Sequence, residues 1–266
     1  MPSVPWQFAK ALASTDRLVQ SVATQTFSRH PMCLPRYLVF AVTLVAPAIF
    51  VSPAAAQDIG GGFISAGIGN AGIEAATIAL EDQVSEPGHR TVDAQARTEF
   101  NFVPTESQRR RTASRVARNL VPAPQRDEFA AQFDDDFYAM IDGELSYYGL
   151  STNNLADTYA FWWLIVWDAA HGVSTDTTPA QAQGVRDQVA AALVESFPEM
   201  SDSDRQAISD EFVIHAVLFM NELEASAGDP ARLANIKSSA RSAAISVTGM
   251  DPLNLRVTDE GFRPID

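Results

Sequence analysis

The chain has 266 residues, 46% of them hydrophobic, enough to bury one sizeable core, so one domain is expected rather than two. Its formal net charge of -14 and pI near 4.6 argue against nucleic acid as a partner, because phosphate repels such a surface. The single cysteine, Cys33, lies in a segment expected to be removed, which excludes a disulfide scaffold, a thiolate metal site and cysteine catalysis in the mature chain.

Residues 1–56 read as an export signal. Arg36 precedes an almost wholly apolar stretch, Tyr37 to Val51, which ends in Ser52-Pro53-Ala54-Ala55-Ala56. A positive flank, an apolar run and small residues in that order predict cleavage after Ala56, leaving Gln57 first and the mature protein periplasmic or secreted. A retained membrane anchor is the alternative, opposed by the short run and by Pro47 within it. Met32 opens MCLPRYLVFAVTLVAPAIFVSPAAAQD, an export signal of ordinary length, so translation is expected to start there rather than at Met1.

Residues 57–99 form a Gly/Ala-rich segment and a linker. Gly67-Ile68-Gly69-Asn70-Ala71-Gly72 spells the dinucleotide fingerprint G-x-G-x-x-G. That motif works only between a buried strand and a helix of a βαβ unit. Here the preceding residues Ile59, Phe63 and Ile64 are interrupted by glycines, and Pro87-Gly88 follows the only well-placed acid, Glu86. No cofactor is expected. The stretch is either flexible or, over Ile59 to Leu80, a loose helix packed on the domain or lying on a surface. Glu81 to Glu99 reads as linker.

Residues 100–250 predict an all-α fold, a single bundle of about six helices around a buried Trp-rich central helix. Thr105 and Gln108 make a capping box for a helix to about Leu120, which Pro122 and Pro124 end. Arg109, Arg110, Arg111, Arg115 and Arg118 crowd its polar side. The next helix is expected from Gln125 to Tyr148, with an apolar stripe of Phe129, Phe133, Phe137, Met140, Ile141, Leu145 and Tyr148 and seven carboxylates on the rest. The two would lie antiparallel with charges facing; docking of the arginines to an anionic envelope component is the sharper reading. Asp134-Asp135-Asp136 lacks the ligand spacing of a calcium loop and reads as solvated helix face.

Asn154 and Asp157 cap the central helix and Gly172 ends it. Leu155, Tyr159, Trp162, Trp163, Val166, Trp167 and Ala170 fill one side, and Ala160, Phe161, Leu164 and Ile165 grease the other, which places this helix in the middle. Thr178-Pro179, Ser201 with Asp204, and Asp229-Pro230 open three more. Their apolar stripes are Val185, Val189, Ala192, Leu193 and Phe197; Ile208, Phe212, His215, Ala216, Phe219 and Leu223; and Leu233, Ile236, Ala240, Ala243 and Val247. Gly228 and Gly249 stand at stops. Residues 251–266 form a tail in which Leu253, Leu255 and Val257 alternate, expected as one extended segment laid across the bundle.

Two constellations offer chemistry. Asp168-x-x-His171 and Glu211-x-x-x-His215 each put a carboxylate and an imidazole on one helix face, and facing pairs could hold a metal. The blander reading makes His215 a core residue and His171 a favourable group in a helix's last turn. Glu144, beside Tyr147 and Tyr148, resembles the lone acid of helical peptidoglycan-cleaving enzymes, without their accompanying glycines and glutamine.

Phe102-x-Pro104 ahead of the arginine helix, and Asn153-Asn154-Leu155-Ala156-Asp157-x-x-Ala160 opening an aromatic helix that ends in Gly172, resemble a bacterial family of exported helical proteins. It is domain of unknown function 6683, and the resemblance spans about Phe100 to Gly249. It implies export and an all-α fold and carries over no catalytic residue. The expected function is that of a binding or structural protein of the bacterial cell envelope, its partner an envelope protein or an anionic envelope component. The alternative is an envelope enzyme, metal-dependent or peptidoglycan-cleaving.

Overall fold

The computed structural model describes residues 98–196 and 200–265, together with Leu80, Gln83 and Val84. The export signal, the start at Met32, the glycine motif at 67–72 and Phe197 lie outside these residues, as does most of the linker. Between Glu106 and Pro264, seven α-helices and one β-hairpin follow in chain order. They are α1 (Glu106–Leu120), α2 (Arg126–Ala131), α3 (Asp135–Leu145), α4 (Leu155–His171), α5 (Pro179–Ser196), α6 (Asp202–Ala225) and α7 (Pro230–Thr248), then β1 (Leu255–Thr258) and β2 (Gly261–Pro264).

α4 is the central helix, and α5, α6 and α7 pack around it. Its start is fixed by the Asn154 side-chain oxygen, which accepts from the N–H groups of Ala156 (2.9 Å) and Asp157 (3.2 Å). Its end is fixed by Gly172, whose φ of 69° is the left-handed conformation that glycine adopts without penalty. Trp162 and Trp163 are both fully buried. Tyr159 stacks on Phe212 of α6 at 4.5 Å, and Trp162 lies 5.2 Å from the same ring.

Asn154 has a second task. Its Nδ2 donates to Asn101 Oδ1 (2.7 Å), while Phe102 N donates to Asn153 O and Leu155 N to Phe100 O, both at 3.1 Å. The segment before α1 is thereby stitched to the start of α4, burying Phe100 and Phe102.

The helix expected from Gln125 to Tyr148 is broken in two. Asp134 is an N-cap, accepting from Phe137 N at 2.9 Å, with Asp135 and Asp136 in the first turn of α3. The aspartate triplet is therefore a helix start, where negative charge offsets the positive end of the helix dipole, and not a face midway along. Phe129, Phe133 and Phe137 keep contact across the break, each ring 5.0 Å from the next.

The C-terminal tail is also different from expectation. Its strands pair antiparallel, Leu255 opposite Pro264 and Val257 opposite Phe262. Phe262 is fully buried, its ring 4.1 Å from that of Trp163. Gln188 of α5 brackets it, accepting from Phe262 N (2.6 Å) and donating to Phe262 O (2.9 Å). Trp167 Nε1 donates to Leu255 O at 2.9 Å. The hairpin backbone comes so close to α5 that a Cβ on Gly184 would stand 2.4 Å from Asp259 O. Leu80 and Val84, one helical turn apart, are buried as well, and Gln83 O accepts from Arg263 at 3.1 Å. The expected linker is thus packed on the domain at these positions.

Candidate functional site

α1 carries the most unusual concentration of charge in this acidic chain. Its N-terminus is capped by Thr105, whose Oγ1 accepts from Gln108 N (3.4 Å). The reciprocal half of the expected capping box comes from elsewhere, Gln206 Oε1 of α6 accepting from Thr105 N at 2.9 Å. Ala113, Val116, Ala117 and Leu120 are buried, which fixes how the helix is rotated and sends the arginines in two directions.

Arg109 and Arg115 turn inward. Arg109 pairs with Asp135, and its guanidinium sits 4.2 Å over the ring of Tyr138. Tyr138 OH donates to the backbone oxygen of Asp210 at 3.4 Å, and burial raises the phenol well above its ordinary pKa. Burial pushes the Asp210 carboxyl up to about 7, opposed by the nearby Arg109 guanidinium and by hydrogen bonds from Gln206 and Tyr138. Arg115 donates to Glu211 Oε2 at 2.7 Å. His215, one turn beyond Glu211, is lowered to about 3 by burial and by Arg115, so its imidazole is neutral.

This geometry settles where the candidate metal ligands go. Glu211 faces a guanidinium. Asp168 accepts from Thr175 N (3.2 Å) and Thr175 Oγ1 (2.7 Å), tying down the loop after α4, and burial raises its carboxyl to about 6. His171 Nδ1 lies 2.9 Å from Trp167 O, and its ring is 4.2 Å from that of Trp167. Among the described residues no group of three or more His, Cys, Asp or Glu could hold a metal ion, so Asp168, His171, Glu211 and His215 do not assemble into a ligand set. Asp168, His171 and Glu211 are engaged with Thr175, Trp167 and Arg115 instead, and His215 is buried in the core. Glu144 is exposed on α3 and lacks the apolar enclosure a desolvated catalytic acid requires. Its neighbour Tyr147 is 63% exposed.

Arg110, Arg111 and Arg118 turn outward and are exposed. With Ser114 and Arg115 they line an open recess of about 430 Å³. Arg110 reaches Glu106 one turn back at 3.3 Å, an exposed pair of little energetic weight. Arg111 is steadied by Gln108 Oε1, to which its Nε and Nη2 donate at 3.1 and 2.5 Å. No hydrogen bond or ion pair joins the side chain of Ser114 or Arg118 to another described residue. The expected charge-to-charge packing against the acidic segment therefore holds for Arg109 alone. Arg115 goes to α6, and the outer arginines face solvent.

One buried pair escaped the sequence reading. Asp157, expected only as a capping-box residue, accepts from Arg186 Nε of α5 at 2.9 Å and from Ser151 N at 2.9 Å. Both side chains are more than nine-tenths buried. Burial raises the Asp157 carboxyl to about 6, with Arg186 pulling the other way. The available signal was Arg186 itself, a lone cation one residue from Val185 and three from Val189 on an inward stripe.

No curated protein and no solved structure matches the chain. A family model does, over residues 36–264, from the head of the apolar N-terminal stretch to the last residue of the hairpin. The stitched start of α4, the inward tryptophans and the hairpin seated on them all fall within that span, and the chain belongs to DUF6683, a family of unknown function.

Proposed function

We propose that the protein is an exported component of a bacterial cell envelope that acts by binding, with the outer face of α1 as its contact for an anionic partner. The carrying observation is the contrast between the two arginine sets. The inward cations are paired, Arg109 with Asp135 and Arg115 with the buried Glu211, whereas Arg110, Arg111 and Arg118 are held toward solvent beside one recess in a chain of net charge -14. Solvent-facing like charges on successive turns repel one another, and the exposed Arg110–Glu106 pair offsets only one of the three, so the arrangement is best accounted for by an external counter-charge. Export is supported by the apolar stretch from Tyr37 to Val51 and its small-residue ending. Among the described residues no helix is long and apolar enough to cross a membrane.

The test is expression of the full chain with a C-terminal tag in a bacterial host, followed by fractionation and sedimentation with envelope material. A mature chain beginning at Gln57 that co-sediments, and is released by salt or by reversing Arg110 and Arg111 to glutamate, is expected. Retention of the whole precursor in the cytoplasm, or sedimentation indifferent to those reversals, overturns the reading.

A further inference from the structure

The recess on α1 has the donor set for a single phosphoryl group. Positions 111, 114, 115 and 118 follow steps of three and four, so their side chains rise from one side of the helix. Arg111 and Arg118 are separated by roughly 10 Å of helix axis at the usual rise per residue, within the combined span of two arginine side chains closing on a point between them. Ser114 lies at that midpoint, and its hydroxyl and the Arg118 guanidinium have no bond to another described residue. The other two cations are already positioned: Arg111 by Gln108, and Arg115 by Glu211 (2.7 Å) and the Ala207 carbonyl (3.4 Å). Donors fixed before the ligand arrives lose less freedom on binding.

The choice of phosphate over carboxylate follows from donor count. Guanidinium forks match either group, but the four donors of two forks and a hydroxyl together exceed the roughly four lone-pair sites that the two oxygens of a carboxylate offer. A phosphate monoester offers three terminal oxygens and a charge of about -1.5 to -2. An extended polyanion is disfavoured, since beyond this one face it would run onto a surface of net negative charge. Resting on the envelope-binding reading above, we infer that the recess binds the phosphate of a compact phosphomonoester. Arg111 and Arg118 grip its oxygens and Ser114 donates between them, while Arg115, whose charge Glu211 already offsets, walls the recess behind.

The experiment is calorimetric titration of the mature chain with glycerol 3-phosphate and inorganic phosphate at low ionic strength, with glycerol as control. Phosphatidic-acid vesicles are tested in parallel. The phosphate compounds should bind and glycerol should not. Arg111→Gln and Arg118→Gln should each weaken binding about tenfold or more, with Arg→Lys at the same positions recovering only part, because a lysine lacks the fork. Arg232→Gln, on α7, should bind as the parent does. All of these substitutions are at exposed or half-exposed positions, and circular dichroism confirms that the variants are folded. No binding of either phosphate compound, or binding indifferent to Arg111 and Arg118, overturns the inference. So does binding to vesicles alone. If envelope capture still depends on Arg110 and Arg111 but glycerol 3-phosphate does not compete for it, the phosphate assignment fails and the broader anionic-partner reading survives.

Discussion

The ring of Phe262, four residues from the chain's end, lies 4.1 Å from that of Trp163 at the middle of α4. A hairpin too short to be stable alone is held because one of its side chains completes the core of the helical domain. Removing that ring should leave a cavity against Trp163. Phe262→Ala is expected to cost about 3–5 kcal/mol, read as a lowered urea midpoint with unchanged slope. A loss below about 1 kcal/mol would mean the hairpin is not part of the core.

Gly184 tests the same docking from the other side. Alanine normally stabilises a helix interior over glycine by about 0.5–1 kcal/mol. Here the added methyl would collide with the backbone of Asp259 and Gly261, with no flexible side chain able to yield. Gly184→Ala should therefore destabilise, against the propensity, and should raise amide exchange in Leu255–Thr258 and Gly261–Pro264. A gain in stability would show the hairpin free to move away.

Asn154 caps α4 and bonds Asn101 at once. Loss of an N-cap side chain costs about 0.5–2 kcal/mol, and the lost part-buried hydrogen bond to Asn101 adds about 1. Asn154→Ala should fall at the sum. Asn154→Asp should recover the cap but not the donor to Asn101, and so lie between the two in thermal denaturation.

How much of this was legible beforehand depends on whether the determining contact was local. The α4 spine, with Asn154 at its start and Gly172 at its end, could be read because caps and apolar periodicity lie within the segment that they shape. The same reasoning merged α2 with α3, since an aromatic stripe runs unbroken through Phe133 while the break depends on Asp134 turning back to cap Phe137. It missed the second strand because Gly261, Arg263 and Pro264 carry little strand propensity; Phe262 is held by Gln188 and Trp163, residues far away in sequence. For the site, acid and imidazole spacing on one helix suggested metal ligands, but spacing does not show what else each group meets. Glu211 meets Arg115 and Asp168 meets Thr175. The outward arginines were visible as a run; which of them turn inward was not.

Asp210 gives a pH signature. Its folded-state pKa of about 7 is above the unfolded carboxylate value of about 3.9. The native state thus holds this proton more tightly. Its contribution to stability is complete below about pH 4 and is lost as pH rises through about 7, at about 1.4 kcal/mol per unit within that window. Asp210→Asn cannot titrate, so the parent should lose stability relative to this variant as pH rises from 4 to about 7. Parallel pH dependence of the two melting curves would contradict the assignment.

The buried pair of Asp157 and Arg186 separates charge from packing. Each partner offsets the other's loss of water, so removing Arg186 alone strands a carboxylate in the interior, and Arg186→Met should cost about 3–5 kcal/mol. Asp157→Asn in the same chain removes the stranded charge while keeping an oxygen to accept from Ser151 N. The double variant should regain most of the lost stability, because an uncharged side chain at each position has little desolvation left to offset. Asp157→Asn by itself leaves the Arg186 guanidinium near Asp187, 3.0 Å away, and should cost less than Arg186→Met. Urea titration of the three variants gives the coupling energy directly. If the two single losses simply add in the double variant, the pair is not acting as a pair, and the carboxylate of Asp157 must be stabilised by the Ser151 amide and water instead.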